Sequence, residues 1–186
     1  MVFDQQLYND LIERADAISI SYSEWYAKSY EVFKNDSDIK SIDDLIKVIA
    51  FTYSWMPTIP TIHFHQVINE HLLIKRINDL RDGKTANREL LLKELVPVIN
   101  NSVVGTSKLL HFIAPDYVPI IDSRVRTGWN VFFKTEIKKQ LSDLNGKNKI
   151  DAYLKYWIYV DKWRKKLDNV SYRDIELLFY TIGENE

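Results

Sequence analysis

Two residues in the segment 103–129, VVGTSKLLHFIAPDYVPIIDSRVRTGW, carry the most readily interpreted chemistry of this chain. Lys108 follows a glycine-containing stretch, and Asp122 comes fourteen residues later, directly after the apolar run VPII. A deprotonated lysine amine is a nucleophile, and a carboxylate stabilises a positive charge that develops beside it. The spacing therefore predicts either a catalytic lysine–aspartate pair or a solvated lysine and an aspartate that caps a helix.

The residues before Lys108 predict a turn that suits a phosphate group. The asparagines at 100–101 are turn residues, and Gly105 can adopt backbone conformations that other residues avoid. Thr106 or Ser107 can cap the helix that follows. Backbone N–H groups point outward at the start of a helix and favour an anion, and a lysine in the first turn would lie beside them.

The elements that position these residues are predicted to be helices throughout. Apolar residues recur at helical spacing along the chain, Ser-x-x-Asp start signals precede two of the segments, and no set of alternating strands is present. We expect one all-α domain over 1–186, with two lobes. The predicted helices are 4–18, 24–33, 41–56, 63–81, 87–100, a helix that carries Lys108 and ends at 114–116, 122–141, 149–167 and 171–183.

The composition excludes several classes of site. The chain has no cysteine, so disulfides, thiolate metal ligands and cysteine nucleophiles are absent. The histidines at 63, 65 and 71 match no established ligand spacing, and we predict neither a metal site nor a cofactor. No stretch approaches the roughly 18 apolar residues of a membrane span, and the N-terminus lacks the layout of a signal peptide. We expect a cytoplasmic protein without a membrane partner.

The charge of the chain is unevenly distributed. The net charge is −1, yet residues 1–100 hold 11 basic and 15 acidic residues, whereas residues 101–173 hold 14 basic and 7 acidic ones. Such a segment is typical of a face that contacts phosphates, or of a set of solvated helix faces. The candidate nucleic-acid contacts are Arg124, Arg126, Lys162, Lys165 and Lys166.

The stretch KYWIYVDKWRKKL, at 155–167, interleaves basic and aromatic residues. That composition is found on surfaces that stack nucleic-acid bases. Helical spacing, however, also predicts Trp157 and Ile158 in the core, with Lys162, Lys165 and Lys166 on a solvent-exposed face. Both interpretations place the three lysines at the surface.

The segment of about 88–141 resembles the central element of the helix-hairpin-helix DNA glycosylase superfamily. The likeness consists of a helix, a glycine-containing hairpin, a helix with a lysine, a proline, an apolar pair and then Asp-Ser-Arg-Val-Arg. It makes Gly105 the hairpin glycine, Lys108 the candidate nucleophile and Asp122 the candidate carboxylate, with Val125 and Arg126 at the end of the motif. The fold implied is a two-lobed helical bundle.

The resemblance implies a DNA partner and a base-excision mechanism without metal or organic cofactor. The 103–107 hairpin, with Gly105, Thr106 and Ser107, would hold a DNA phosphate. Lys108 would attack the sugar C1′ as an amine, and Asp122 would support the sugar cation formed as the base leaves. The alternative is a non-enzymatic binding or interaction module that keeps the fold without the active site.

A longer set of motifs is similar to a group of uncharacterised bacterial proteins. It comprises SKLLHFIAPDYVPIIDSRV, the upstream YSWMPTI and the terminal YRDIELLFY. This second likeness spans most of the chain but implies no activity, so the two functional alternatives stay open.

Overall fold

The computed structural model describes residues 2–18, 24–34 and 38–186, and these residues form an all-α protein, as predicted. Within them are three 3-10 helices, no strand and one isolated antiparallel bridge, between Ile62 and Ile99. No helix in these ranges is long and apolar enough to cross a membrane. The α-helices are α1 (Gln5–Asp16), α2 (Glu24–Phe33), α3 (Ile42–Ser54), α4 (Glu70–Arg81), α5 (Arg88–Val98), α6 (Val103–Ile113), α7 (Ser123–Phe132), α8 (Lys149–Arg164) and α9 (Tyr172–Glu184).

The chain divides into two compact units. The terminal unit comprises residues 1–21 and 119–186 and contains α1, α7, α8 and α9. The central unit comprises residues 22–118 and contains α2 to α6. The segment 88–141 is therefore shared, because α5 and α6 belong to the central unit whereas α7 belongs to the terminal unit.

The central unit is organised around α6, which packs against α3, α4 and α5. The side chains of Phe51 on α3 and of Trp55, the residue directly after α3, meet Phe112 on α6 edge to face, with ring centroids 4.8 and 4.9 Å apart. Helix α2 lies at the periphery and is joined to this core by the Trp55 indole N–H, which donates to the Ser29 hydroxyl at 2.9 Å. Aromatic rings in edge-to-face contact stabilise a core beyond the area they bury.

The terminal unit depends on a close approach between α7 and α9. A Cβ atom at Gly128 would lie 1.9 Å from the carbonyl oxygen of Phe179, and one at Gly183 would lie 1.9 Å from that of Arg124. Neither helix can therefore carry a larger residue at its glycine without moving away from the other. The approach brings the start of α7, where Asp122 lies, against α9.

Two predicted helix boundaries are wrong. The predicted helix 122–141 ends at Phe132, because the Asn130 side chain bonds both the N–H (2.8 Å) and the C=O (3.0 Å) of Leu141 and so turns the chain back. The predicted helix 63–81 begins only at Glu70, capped by the side chain of Asn69. In both places a side chain bonded to the backbone competes with continued helix.

Candidate functional site

The start of α6 differs from the predicted phosphate-binding turn. The chain reverses at 100–101, where both asparagines have positive φ (52° and 50°). Ser102 caps α6, and its hydroxyl accepts a hydrogen bond from the Gly105 N–H at 3.1 Å. The predictions that Gly105 lies in the hairpin and that Thr106 or Ser107 caps the helix are wrong, because the serine three residues before the glycine supplies the cap.

Gly105 is required by packing and not by a turn. Its Cβ atom would lie 2.6 Å from the hydroxyl oxygen of Tyr53 and 3.3 Å from the ring carbon that carries it. Thr106 and Ser107 are fully buried, and their hydroxyls donate to carbonyls of the preceding turn at 2.8 and 2.9 Å. The contacts of these three residues are made within the protein, which argues against their direct contact with nucleic acid.

The Tyr53 hydroxyl is the unexpected feature of this region. It is buried and has no hydrogen-bond partner within the described part of the chain. Burial raises the pKa of Tyr53, and the neighbouring Asn100 side chain opposes that shift without forming a hydrogen bond of normal geometry. Asn100 also accepts a hydrogen bond from the Thr61 N–H, which ties the hairpin to the segment before α4. Helical spacing predicts Tyr53 as a core residue but does not indicate that its hydroxyl approaches α6.

Lys108 lies in the second turn of α6 and is half-buried. The prediction that it lies in the first turn is wrong, because the helix already begins at Val103. His111, one turn further along, is fully buried and serves packing. Its Nδ1 lies 2.5 Å from the Val118 carbonyl oxygen and its Nε2 lies 2.9 Å from the Tyr30 hydroxyl. Because a carbonyl only accepts, Nδ1 carries the proton and Nε2 accepts from Tyr30. Both ring nitrogens of His111 thus join α6 to its neighbours within the central unit.

Asp122 begins α7, as predicted. Its carboxylate accepts a hydrogen bond from the Val125 N–H at 2.9 Å, an N-cap contact that stabilises a helix by about 1 kcal/mol. Two tyrosines of the terminal unit lie in the field of this carboxylate. Burial raises the pKa of both Tyr156 and Tyr180, and the charge of Asp122 makes a smaller contribution in the same direction at each. At Tyr180 the Arg124 guanidinium opposes this rise in the pKa. Asp122 is therefore a capping residue set among polar groups.

A buried polar cluster near Asp122 was not predicted from the sequence. Glu176 on α9 is only 2% exposed and forms an ion pair with Arg173, one turn earlier. The Tyr156 hydroxyl on α8 is buried and has no hydrogen-bond partner among the described residues. Burial and the charge of Glu176 raise the pKa of Tyr156 well above its usual value. The available signal was Glu176 within IELLF, where helical spacing places a carboxylate on the apolar face.

The two candidate arginines of α7 differ in their surroundings. The Arg124 guanidinium donates to the Tyr180 hydroxyl at 2.6 Å and forms an ion pair with Glu184 at 3.4 Å. It also lies over the Tyr180 ring, 5.2 Å from the centroid. Arg126 is half-buried. Arg124 is therefore already bound to α9, and a phosphate that contacts it would compete with Glu184.

Lys108 and Asp122 are not brought together within one unit. Lys108 belongs to the central unit and Asp122 to the terminal unit. Lys108 is half-buried in α6, and Asp122 is the N-cap of α7. Their predicted joint action in catalysis stays a prediction.

The predicted basic cluster at the end of α8 lies at the surface. Lys162, Lys165 and Lys166 are all exposed, and Lys165 forms an ion pair with Asp161 at 2.8 Å. Because that pair partly neutralises Lys165, the other two lysines are the stronger candidates for contact with an external anion. Trp157 is fully buried, which confirms its predicted place in the core.

Lys162 belongs to a row of side chains along the second half of α8. Lys155, Tyr159 and Lys162 follow one another at spacings of four and three residues, which places them on one face of the helix. Lys166 follows in the turn after Arg164, the last residue of α8. We call these four residues the α8 stripe. The Lys155 ammonium donates to the Gln140 carbonyl at 2.7 Å, and the Tyr159 hydroxyl donates to that of Lys138 at 3.2 Å. The loop at 138–140 therefore adjoins the stripe.

In the fold, the basic residues of segment 101–173 are balanced by acidic residues from other segments. The terminal unit combines most of that segment with the acidic helix α1 and the acidic C-terminus, so that it holds 14 basic and 14 acidic residues. The central unit holds 11 basic and 12 acidic residues. Neither unit has a strong net charge, and any attraction for an anion must come from a local arrangement such as the α8 stripe.

Metal-binding side chains do not assemble in the ranges that the structure describes. No group of three His, Asp or Glu side chains there could hold an ion. The rings of His63 and His65 meet edge to face with centroids 5.7 Å apart, as packing partners. Comparison of the chain with models of known protein families, with curated proteins and with solved structures finds no match.

Proposed function

We propose that this protein binds nucleic acid through the α8 stripe and the adjoining loop, with base excision or a related lyase step as its chemistry. The observation that carries the proposal is the alignment of two lysines and a tyrosine along one face of α8, with a third lysine in the turn directly after the helix. Lysines repeated at one or two helical turns can contact successive phosphates of a strand, and counterions released from those phosphates drive binding. Oligonucleotide binding that weakens steeply with added salt tests this part of the proposal.

The lyase step assigns a separate task to each unit. The Lys108 amine attacks the sugar C1′ as the bond from C1′ to the base breaks, and the base leaves with the proton that the nitrogen gives up. The bond from C1′ to the ring oxygen O4′ then breaks as the C=N bond forms, and O4′ takes up a proton. The resulting Schiff base joins the protein to the sugar. Asp122 supplies the negative charge that stabilises the sugar cation. The capped position of Asp122 at the start of α7, after an extended apolar run, supports this assignment, since the resemblance places the catalytic carboxylate at a helix start.

Borohydride trapping on DNA that contains an abasic site tests the lyase step. We expect the wild-type protein to form a covalent adduct and Lys108→Ala to lose it. Lys93→Ala, on the exposed side of α5, is the matched control and should trap normally. Asp122→Asn separates the two roles of that residue, because asparagine caps a helix as well as aspartate does. It should reduce trapping without lowering the melting temperature.

A non-enzymatic binding module is the second candidate. The burial of Gly105, Thr106 and Ser107 inside α6 favours it, because the residues expected to hold a phosphate beside Lys108 are used for packing. Salt-dependent binding with no trapped adduct would support the module and remove the lyase step. Equal trapping by wild type and Lys108→Ala would remove Lys108 from the mechanism, whereas the absence of binding would overturn the proposal as a whole.

A further inference from the structure

The turn that leads into α8 contains the one Asn-Gly pair of the chain, Asn145-Gly146. Asn145 is exposed, and its own N–H donates to the Asp143 carboxylate at 3.2 Å. A Cβ atom at Gly146 would meet nothing closer than the Asp143 carbonyl oxygen, at 3.6 Å. The pair thus lies in an open surface turn, outside any helix.

The geometry leaves the nitrogen of Gly146 able to react. Within the described part of the chain the Gly146 N–H has no hydrogen-bond acceptor, although its carbonyl accepts from the Lys149 N–H at 3.2 Å. Glycine has no side chain to hinder approach of this nitrogen to the Asn145 side chain, and the space around Gly146 is open. Because the two groups belong to neighbouring residues, the attack is intramolecular.

We infer that Asn145 is a site of spontaneous deamidation in the folded protein. The Gly146 nitrogen attacks Cγ of Asn145, a new N–Cγ bond forms, and the bond from Cγ to the side-chain nitrogen breaks. Ammonia leaves with the proton that the Gly146 nitrogen gives up. Water then opens the five-membered succinimide at either carbonyl, which yields aspartate or isoaspartate at position 145.

Hydrogen bonds hold the side chains of two other asparagines in place. The side chain of Asn130, a residue of α7, is bonded through both its nitrogen and its oxygen to the backbone of Leu141. The Asn100 side chain accepts from the Thr61 N–H. An amide fixed by such bonds does not turn toward the nitrogen of the next residue. Reaction at 145 is therefore expected to dominate in the native state.

The product adds a negative charge in the turn four residues before Lys149, the first residue of α8, and changes the net charge of the chain from −1 to −2. Because position 145 is exposed and lies outside any helix, the aspartate form should remain folded, and it should separate from the parent protein by ion exchange. The inference does not depend on the proposed function, since the reaction needs only water and the turn itself.

The test is incubation of the folded protein in mildly alkaline buffer, followed by ion exchange and peptide mapping by mass spectrometry. We expect an acidic species to accumulate that co-elutes with Asn145→Asp and contains isoaspartate in the peptide with residue 145. Gly146→Ala should slow its formation several-fold while leaving the circular dichroism spectrum unchanged. The inference is overturned if residue 145 stays intact while Asn100, Asn101 or Asn130 reacts, or if the peptide reacts only after unfolding in urea.

Discussion

Replacement of Gly105 by alanine tests how Tyr53 and α6 fit together. The new methyl group would lie 2.6 Å from the Tyr53 hydroxyl oxygen, and the buried ring has little room to retreat. Overpacking of this kind costs about 1–3 kcal/mol, whereas alanine favours a helix interior by about 1 kcal/mol over glycine. We expect Gly105→Ala to lower the free energy of unfolding by a net of up to about 2 kcal/mol.

We expect Tyr53→Phe to suppress the destabilisation caused by Gly105→Ala. Phenylalanine lacks the clashing oxygen, and the remaining contact to the methyl group is 3.3 Å. By itself Tyr53→Phe should be neutral or stabilising by up to about 1 kcal/mol, since the hydroxyl is buried without a partner. In that background Gly105→Ala should cost little or nothing. A double-mutant cycle in urea, followed by circular dichroism, measures the coupling, expected at about 1–3 kcal/mol. Equal destabilisation by Gly105→Ala in both backgrounds would refute the reasoning.

Three further changes test other contacts. Gly128→Ala places a methyl group against the backbone of α9 and should lower the free energy of unfolding in urea by about 3 kcal/mol or more. Gly146→Ala, in an open turn, should change the free energy of unfolding by no more than about 0.5 kcal/mol. Equal effects of the two variants would contradict the close α7–α9 approach. Burial and a hydrogen bond to a carboxylate raise the pKa of Tyr172, so the folded state holds its proton longer than the unfolded state does. Stability should fall as pH rises above about 10, and Tyr172→Phe should flatten that decline; an unchanged pH profile would contradict this. Asn130→Ala removes both bonds to the Leu141 backbone, should cost about 1–3 kcal/mol and should speed hydrogen exchange at the Leu141 amide; retained protection there would count against the turn assigned to Asn130.

The helices of this protein are largely predictable from local sequence. The Ser-x-x-Asp signals mark the starts of α3 and α9, and in α9 Ser171 and Asp174 form a reciprocal capping box. Asp122 caps α7 as expected. These features depend on residues within one turn of each other, so spacing alone is sufficient to identify them.

Long-range contacts account for what was not predicted. The sequence predicts Gly105 as a turn residue because glycine is common in turns, and only the approach of Tyr53, about 50 positions earlier, explains its place in a helix. The end of α7 depends on bonds from Asn130 to Leu141, and the buried cluster depends on where Tyr156 meets Glu176. Such contacts join residues that no local pattern connects.

Charge shows the same difference between sequence and fold. The basic excess of residues 101–173 is evident in the sequence, but it is balanced once α1 and the C-terminus join the terminal unit. The α8 stripe keeps its local positive charge because its residues lie close together in the sequence. The proposed nucleic-acid binding therefore depends on these few side chains.

The most direct test of the central claim is the salt dependence of oligonucleotide binding, measured by fluorescence anisotropy. The charge reversals Lys162→Glu and Lys166→Glu together should weaken binding and reduce the slope of log affinity against log salt by roughly 1.5–2, the loss of two phosphate contacts. Lys75→Glu with Lys93→Glu, an equal change of charge in the central unit, should leave that slope unchanged. Absence of salt-dependent binding by the wild-type protein, or the same slope in both double variants, would contradict the account.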